Sequence, residues 1–221
     1  MSAISQETSA RRADSAGTPV YVLVEAVQSL SLARSLPEIQ EIVRHAAREL
    51  SGADGATFVL REGECCYYAD EDAIEPLWKG QRFPLSACIS GWAMLNRRAA
   101  VIADIYADDR IPHEAYRPTF VQSLVMVPIR TADPVGAIGS YWASSHVASS
   151  QEVELLQALA NATAVAMENV RVYQDLEQRV ADRTAELPAA NERLVQLDAL
   201  RTRFAHATAH ELRSPLTAIL G

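Results

Sequence analysis

Ser123-Leu-Val-Met-Val-Pro-Ile129 and Val135-Gly-Ala-Ile-Gly-Ser-Tyr-Trp142, separated by a short turn containing Asp133 and Pro134, decide the fold. Each run is apolar, of strand length, and bounded by residues that stop a strand. Working upstream, Ala99–Ile102, Cys65–Ala69 and Ala56–Leu60 have the same texture. Ser86–Asn96 reads as a loop and a short helix, and Asp104–Thr119, with Pro112 and Pro118, as a long loop of the functional kind. Further upstream, Val20–Arg34 and Leu36–Leu50 read as two helices, broken at Pro37 near the start of the second. Ile39, Ile42, Val43, Ala46 and Leu50 form the apolar stripe of the second helix, and Gly52 and Gly55 are expected to end it. Strands enclosed by helices on both sides define an α+β class: an antiparallel sheet packed on helices.

Composition narrows the function. The 221 residues are 49% hydrophobic and 22% charged, an ordinary globular mixture. This excludes a collagen-like repeat or a wholly disordered chain. The apolar runs fall far short of the ~20 residues that cross a bilayer, so no membrane segment is expected. Net charge is −8, against a nucleic-acid-binding surface. The first 170 residues hold 13 basic and 21 acidic groups and carry the whole charge, whereas residues 171–221 balance seven Arg against seven acids. Arg11 and Arg12 have no apolar stretch behind them, so a secretory signal is not expected. The Ser-, Ala-, Thr- and Gly-rich residues 1–18 read as a disordered tail. Cys65, Cys66 and Cys88 are odd in number and lack CxxC spacing, which fits free thiols in a reducing cytoplasm.

From Gln151 no glycine occurs until Gly221, and the periodicity is helical throughout. Leu155, Leu159, Ala162, Ala166 and Val170 mark one face. Tyr173, Leu176, Val180, Leu187, Ala190, Leu194 and Leu197 then follow three–four spacing, the a/d seam of a coiled coil, with Arg183 at a d position. The seam restarts at Leu200 and Phe204, a three-residue slip that should overwind the supercoil locally. Such a stripe is most economically covered by the same helix of a second chain in a parallel homodimer. Pro188 interrupts the heptads at a b position and removes the hydrogen bond to the Thr184 carbonyl. A kink rather than a break is expected there, as either a tolerated surface proline or a hinge.

The last residues run Phe204-Ala-His-Ala-Thr-Ala-His210-Glu211-Leu212-Arg213-Ser214-Pro215-Leu216. With Phe204, Ala207, Leu212, Leu216 and Ile219 on the apolar face, His210 is left on the exposed one. A neutral imidazole with a pKa of about 6.5 is a competent nucleophile at neutral pH. Glu211 can hold its tautomer or take its proton, and Pro215 loosens the turn by withholding an N–H from the Glu211 carbonyl.

This run closely resembles the H-box of sensor histidine kinases, the start of the first dimerisation helix. Leu176-Glu-Gln-Arg-Val-Ala-Asp-Arg-Thr-Ala-Glu-Leu187 resembles the coiled-coil linker that precedes that box. The resemblance implies that His210 is the phosphoacceptor and Glu211 its acid/base partner, with ATP and Mg as cofactors of the intact kinase and a response-regulator receiver domain as partner. The family's phosphatase pattern has Thr or Asn where this chain has Ser214, and its linkers carry a helix former where this chain has Pro188. Residues 19–170 resemble a GAF sensor domain. The carrying residues are Pro84-Leu85-Ser86…Ile89-Ser90-Gly91-Trp92, Val101-Ile102-Ala103-Asp104…Asp108-Asp109-Arg110, Ser123-Leu124…Val127-Pro128-Ile129 and Gly136…Ile138-Gly139. The cyclic-nucleotide signature of some GAF domains and the Cys-His pair of bilin-binding ones are absent, so the ligand is unknown.

The expected organisation is therefore a tail at 1–18, a GAF domain at 19–170, a coiled-coil linker at 171–203 and the start of the phosphoacceptor helix at 204–221. The second dimerisation helix and the ATP-binding domain are missing from this chain, so alone it should be inactive. Within the GAF domain, Cys88, Trp92, His113 and Tyr116 are the ligand-binding candidates. Cys88, just before Gly91, also lies where a helix N-terminus could stabilise a thiolate, and His113 with Tyr116 could line a pocket or bind haem. His206 and His210 have a zinc-compatible spacing but no evident third ligand, so no metal site is expected. Two alternatives compete with the kinase: a non-catalytic GAF ligand-binding or dimerisation module, and a thiol redox sensor acting through Cys88.

Overall fold

The computed structural model describes the backbone of residues 19–220 and the side chains of residues 19–203 except 189, 190 and 199. The expected tail at 1–18 lies outside the described residues, as do the side chains of His210, Glu211 and Pro215. Two compact units meet at the Val170/Arg171 boundary.

The first unit opens with α1 (Pro19–Leu32) and α2 (Leu36–Ser51). Ser35 caps α2 by accepting the Glu38 N–H at 3.4 Å, while the Glu38 carboxylate takes the Arg34 N–H at 2.8 Å. Pro37 therefore sits in the first turn, where its missing N–H costs nothing. Gly52 closes the helix in the left-handed region, at φ 59°. Gly55 does not help to end the helix, as expected from sequence; it starts the first strand. A Cβ there would lie 2.7 Å from the Ala73 Cβ on the neighbouring strand, so a side chain at this position would push the pair apart.

The strands are β1 (Gly55–Glu62), β2 (Cys65–Ala73), β3 (Arg82–Pro84), β4 (Ala100–Ile102), β5 (Ser123–Ile129) and β6 (Gly136–Trp142). They form one antiparallel sheet in the order β3-β2-β1-β6-β5-β4. The sequence pattern missed β3, which has only three residues at a sheet margin. Between β3 and β4 lies α3 (Ile89–Asn96), preceded by a 3₁₀ turn at Leu85–Ala87. The expected loop Asp104–Thr119 contains a second 3₁₀ turn, Ile105–Ala107, and one helical turn, α4 (His113–Tyr116).

Alternation along the strands gives the sheet two buried faces. Phe58, Val125, Val127, Ile129, Ile138 and Trp142 face α1, α2 and the beginning of the last helix, packing with Ile39, Val43, Leu50, Leu156, Leu159 and Val170. Val59, Leu124, Met126, Ala137 and Tyr141 face the other way, toward α3 and the 104–121 segment. The two outermost strands, β3 and β4, are short. Beyond its pairing with β3, β2 exchanges hydrogen bonds with the 78–81 turn: Tyr68 N–H to Gln81 O at 3.0 Å and Gly80 N–H to Tyr68 O at 2.8 Å. On β5, Pro128 has no N–H to offer, and its carbonyl accepts the Gln157 side-chain N–H at 3.0 Å.

The final helix, α5 (Ser150–Leu220), starts from a reciprocal cap. Ser149 Oγ accepts the Glu152 N–H at 3.2 Å, and Glu152 Oε2 accepts the Ser149 N–H at 2.7 Å. Burial works against the Glu152 charge, but the Ser149 donors and His146, 2.9 Å away, hold its carboxyl below the usual range. α5 remains helical across Pro188, with no break. In the second unit, Leu176, Val180, Leu187, Leu194 and Leu197 are each more than half exposed. Arg183 lies outward with them and reaches Glu186 at 3.4 Å. No described helix is long and apolar enough to cross a membrane.

Candidate functional site

The sheet face away from α1, α2 and α5 carries an aromatic group around Trp78. Its ring meets Tyr116 at 4.7 Å, Tyr68 at 5.5 Å and Tyr141 at 5.6 Å between centroids, all edge-on. Phe83 adds a further edge contact to Tyr68 at 5.4 Å. Trp78 Nε1–H donates to the Ala115 carbonyl at 3.2 Å, tying the β2–β3 connection to α4. The Glu71 carboxylate seats this connection by accepting the N–H groups of Leu77, Trp78 and Lys79 at 3.0, 2.9 and 2.8 Å. Three donors on one carboxylate fix the loop more firmly than neutral acceptors would.

Polar atoms are threaded through this apolar core in pairs. Thr57 Oγ1 and Tyr141 OH are 2.9 Å apart, and Tyr68 OH and Ser90 Oγ 3.1 Å. Ser90 Oγ in turn lies 3.2 Å from Cys88 Sγ. Burial drives the phenols of Tyr68, Tyr116 and Tyr141 above their ordinary range, so all three stay neutral.

Cys88 is the N-cap of α3, and its sulfur accepts the Gly91 N–H at 3.4 Å. It also contacts the Pro84 carbonyl at 3.4 Å. A hydrogen bond from the Cys66 thiol favours the Cys88 thiolate most. Burial opposes it, and the Ser90 hydroxyl with the backbone N–H groups of Gly91 and Ser90 adds to the attraction; the net result pulls the Cys88 pKa down to about 6. The same pairing, together with burial, pushes the Cys66 thiol up. Reaction of Cys88 with iodoacetamide should therefore rise through pH 6 and level off near neutrality, whereas a free cysteine titrates at about 8.5. In Cys66→Ala the midpoint should move upward, because the strongest donor is gone. A wild-type midpoint at the free-cysteine value would contradict this arrangement.

Of the four sequence candidates, Cys88 and Tyr116 share this buried core, both under a tenth exposed. Tyr116 packs against Trp78. Trp92 sits half-buried on α3, flanked by the guanidinium groups of Arg110 at 4.4 Å and Arg98 at 5.1 Å from its ring. His113 uses Nε2 on the Ile105 carbonyl at 2.9 Å, so that nitrogen is committed to holding the loop. Among the described residues, no group of three or more His, Cys, Asp or Glu could hold a metal ion. Cys66, Tyr68, Trp78, Ser90 and Tyr141 escaped the sequence reading, because their contacts join segments distant along the chain. One local clue existed: the register that makes Cys66 and Tyr68 alternate with Cys65 and Tyr67 on β2.

An antiparallel sheet with helices on one face and a loop-and-helix cover on the other is the architecture of a GAF domain. The GAF domain family model matches residues 33–168, and the chain belongs to that family. It is 28% identical over 143 residues to the circadian input-output histidine kinase CikA of Synechococcus elongatus, which covers 59% of this chain. That match spans 19% of the length of the curated relative. The GAF domain of a phosphoenolpyruvate-protein phosphotransferase from Coxiella burnetii superposes with a TM-score of 0.63 at 16% identity, over 73% of this chain and 99% of that one. Free methionine-R-sulfoxide reductase from Neisseria meningitidis, solved with its substrate, gives 0.62 at 16% identity, over 72% and 93%. These two likenesses establish the fold.

Proposed function

We propose that this chain is the sensory and dimerisation portion of a cytoplasmic two-component sensor histidine kinase. The carrying observation is the sequence His210-Glu211-Leu212-Arg213-Ser214-Pro215 on the same helix, α5, that begins inside a GAF domain. The similarity to a protein named as a histidine kinase supports the reading, and so does the exposed stripe from Leu176 to Leu197, which lacks a covering surface in one copy. A second copy would bury that stripe in a parallel coiled coil.

In the intact protein, His210 would attack the γ-phosphorus of ATP as the bond to the β-phosphate oxygen breaks and ADP leaves, with Glu211 taking the imidazole proton. Bound Mg would supply charge neutralisation at the phosphates, and a receiver-domain aspartate would then accept the phosphoryl group and free the imidazole. A change on the aromatic face of the sheet can reach α5 along β6. Tyr141 points into that face, whereas its neighbour Trp142 points to the helical layer and stacks on His146 at 4.3 Å. His146 in turn holds Glu152 in the first turn of α5.

The test joins this chain to the ATP-binding half of a histidine kinase and supplies ATP and Mg. Acid-labile, base-stable phosphate should accumulate on the wild type and vanish in His210→Gln. Equal phosphohistidine in the mutant, or none in the wild type while the fused half binds ATP, overturns the reading.

A further inference from the structure

We propose that Cys66 and Cys88 form a reversible disulfide, which makes this buried face a thiol-oxidation site for hydroperoxides. Register brings the two cysteines together. Cys66 on β2 pairs with Phe83 on β3, next to Pro84, and the Pro84 carbonyl contacts Cys88 Sγ at 3.4 Å. Alternation along β2 turns Cys66 into the core that also holds Cys88, the N-cap of α3, whereas Cys65 lies on the other side of β2, only partly covered. Each thiol shifts the titration of the other, Cys88 downward and Cys66 upward, as neighbours in one core do. Two further groups serve the sulfur of Cys88: the Gly91 N–H at 3.4 Å and the Ser90 hydroxyl at 3.2 Å, itself braced by Tyr68 OH at 3.1 Å. A cysteine that only filled space would need none of these partners.

The Cys88 thiolate attacks one peroxide oxygen of ROOH; the S–O bond forms, the O–O bond breaks, and the leaving oxygen takes a proton to become ROH. Cys88 is now a sulfenic acid. Cys66 Sγ attacks Cys88 Sγ, its proton passes to the departing hydroxyl, and water leaves as the S–S bond forms. One peroxide has been reduced and two thiols oxidised. An external dithiol reverses the step by exchange through a mixed disulfide, returning two electrons and two protons.

The product alters the domain. An S–S bond of about 2.05 Å is shorter than any thiol hydrogen bond, so the start of α3 is drawn toward β2. The negative charge that accepted the Gly91 N–H is lost, and with it the cap of α3. Trp92 begins the next turn of that helix, its N–H bonded to the Cys88 carbonyl at 3.0 Å, so its fluorescence should report the change. The inference stands on the thiol pair and does not depend on the kinase assignment.

The experiment exposes the full chain to hydrogen peroxide, blocks remaining thiols with N-ethylmaleimide and maps tryptic peptides by mass spectrometry without reduction. Peptide 62–79, with Cys65 carrying one N-ethylmaleimide, and peptide 83–97 should be recovered as one species, two hydrogens lighter than their sum and separated by dithiothreitol. The link should persist in C65S and disappear in C66S. Wild type and C65S decide the matter even if C66S folds poorly. Cys66 and Cys88 both found alkylated after peroxide, a link made through Cys65, or Cys88 driven to sulfinic acid beside a free Cys66 would each overturn the proposal.

Discussion

Trp78→Ala lowers the stability of the domain by about 3–5 kcal/mol, the range for removing a buried large aromatic. The melting temperature should fall by roughly 6–20 °C for a domain of this size. Trp78 is 5% exposed and is the hub of the aromatic group, in edge contact with three tyrosines. Two of those rings cannot move into its place without abandoning a partner: Tyr68 is tied to Ser90 and Tyr141 to Thr57. The vacated space therefore stays open, and the cavity adds to the lost burial. Trp78→Phe should cost less, since it keeps a ring and forfeits the bond to the Ala115 carbonyl. Urea unfolding followed by circular dichroism measures both. A loss below about 1 kcal/mol for the alanine variant would mean that the group is not packed as described.

The second large effect concerns Gly91, in the first turn of α3. A Cβ there would lie 1.9 Å from the Leu85 carbonyl oxygen and 2.5 Å from its carbon. These are backbone atoms of the 3₁₀ turn before α3, and a backbone cannot rotate aside as a side chain can. Gly91→Ala must separate the turn from the helix, disturbing the Cys88 cap between them. The expected cost is about 3 kcal/mol or more, at the upper end for overpacking, or roughly 6–12 °C in melting temperature. Gly63→Ala makes the contrast: it has nothing within 4 Å of the added Cβ, and only its φ of 60° resists the change. Thermal melts of the two variants side by side distinguish steric conflict from backbone strain, and equal shifts would refute the close approach at Gly91.

The elements that could be read in the sequence are those that announce themselves locally. The β5 and β6 runs are uncharged and buried throughout because both sheet faces are covered, and α2 shows its buried stripe at three–four spacing. Gly52 marks the end of α2 by the left-handed conformation it adopts, whereas the Ser35 cap emerged only in the structure. β3 was invisible because Arg82-Phe-Pro84 is too short to alternate; only pairing with Cys65–Tyr67 makes it a strand. Gly55 was misread because a glycine near a helix end and one pressed against a neighbouring strand look alike in one dimension. The position of Cys88 at a helix start could be inferred from Gly91 nearby. Its partner could not, since the β2–β3 connection brings Cys66 to it in space. The contact of Thr57 with Tyr141 spans a separation of 84 residues, beyond any local pattern.

The margins of the sheet limit how copies of this protein can join. An outermost strand normally offers a row of free donors and acceptors on which another chain can crystallise its own strand, the route to fibrous aggregates. Here β3 and β4 are each three residues long, too short to template such growth. Where β5 runs on past β4, Pro128 supplies no donor, and its acceptor is already taken by Gln157. Strand-to-strand polymerisation at these margins is thereby disfavoured.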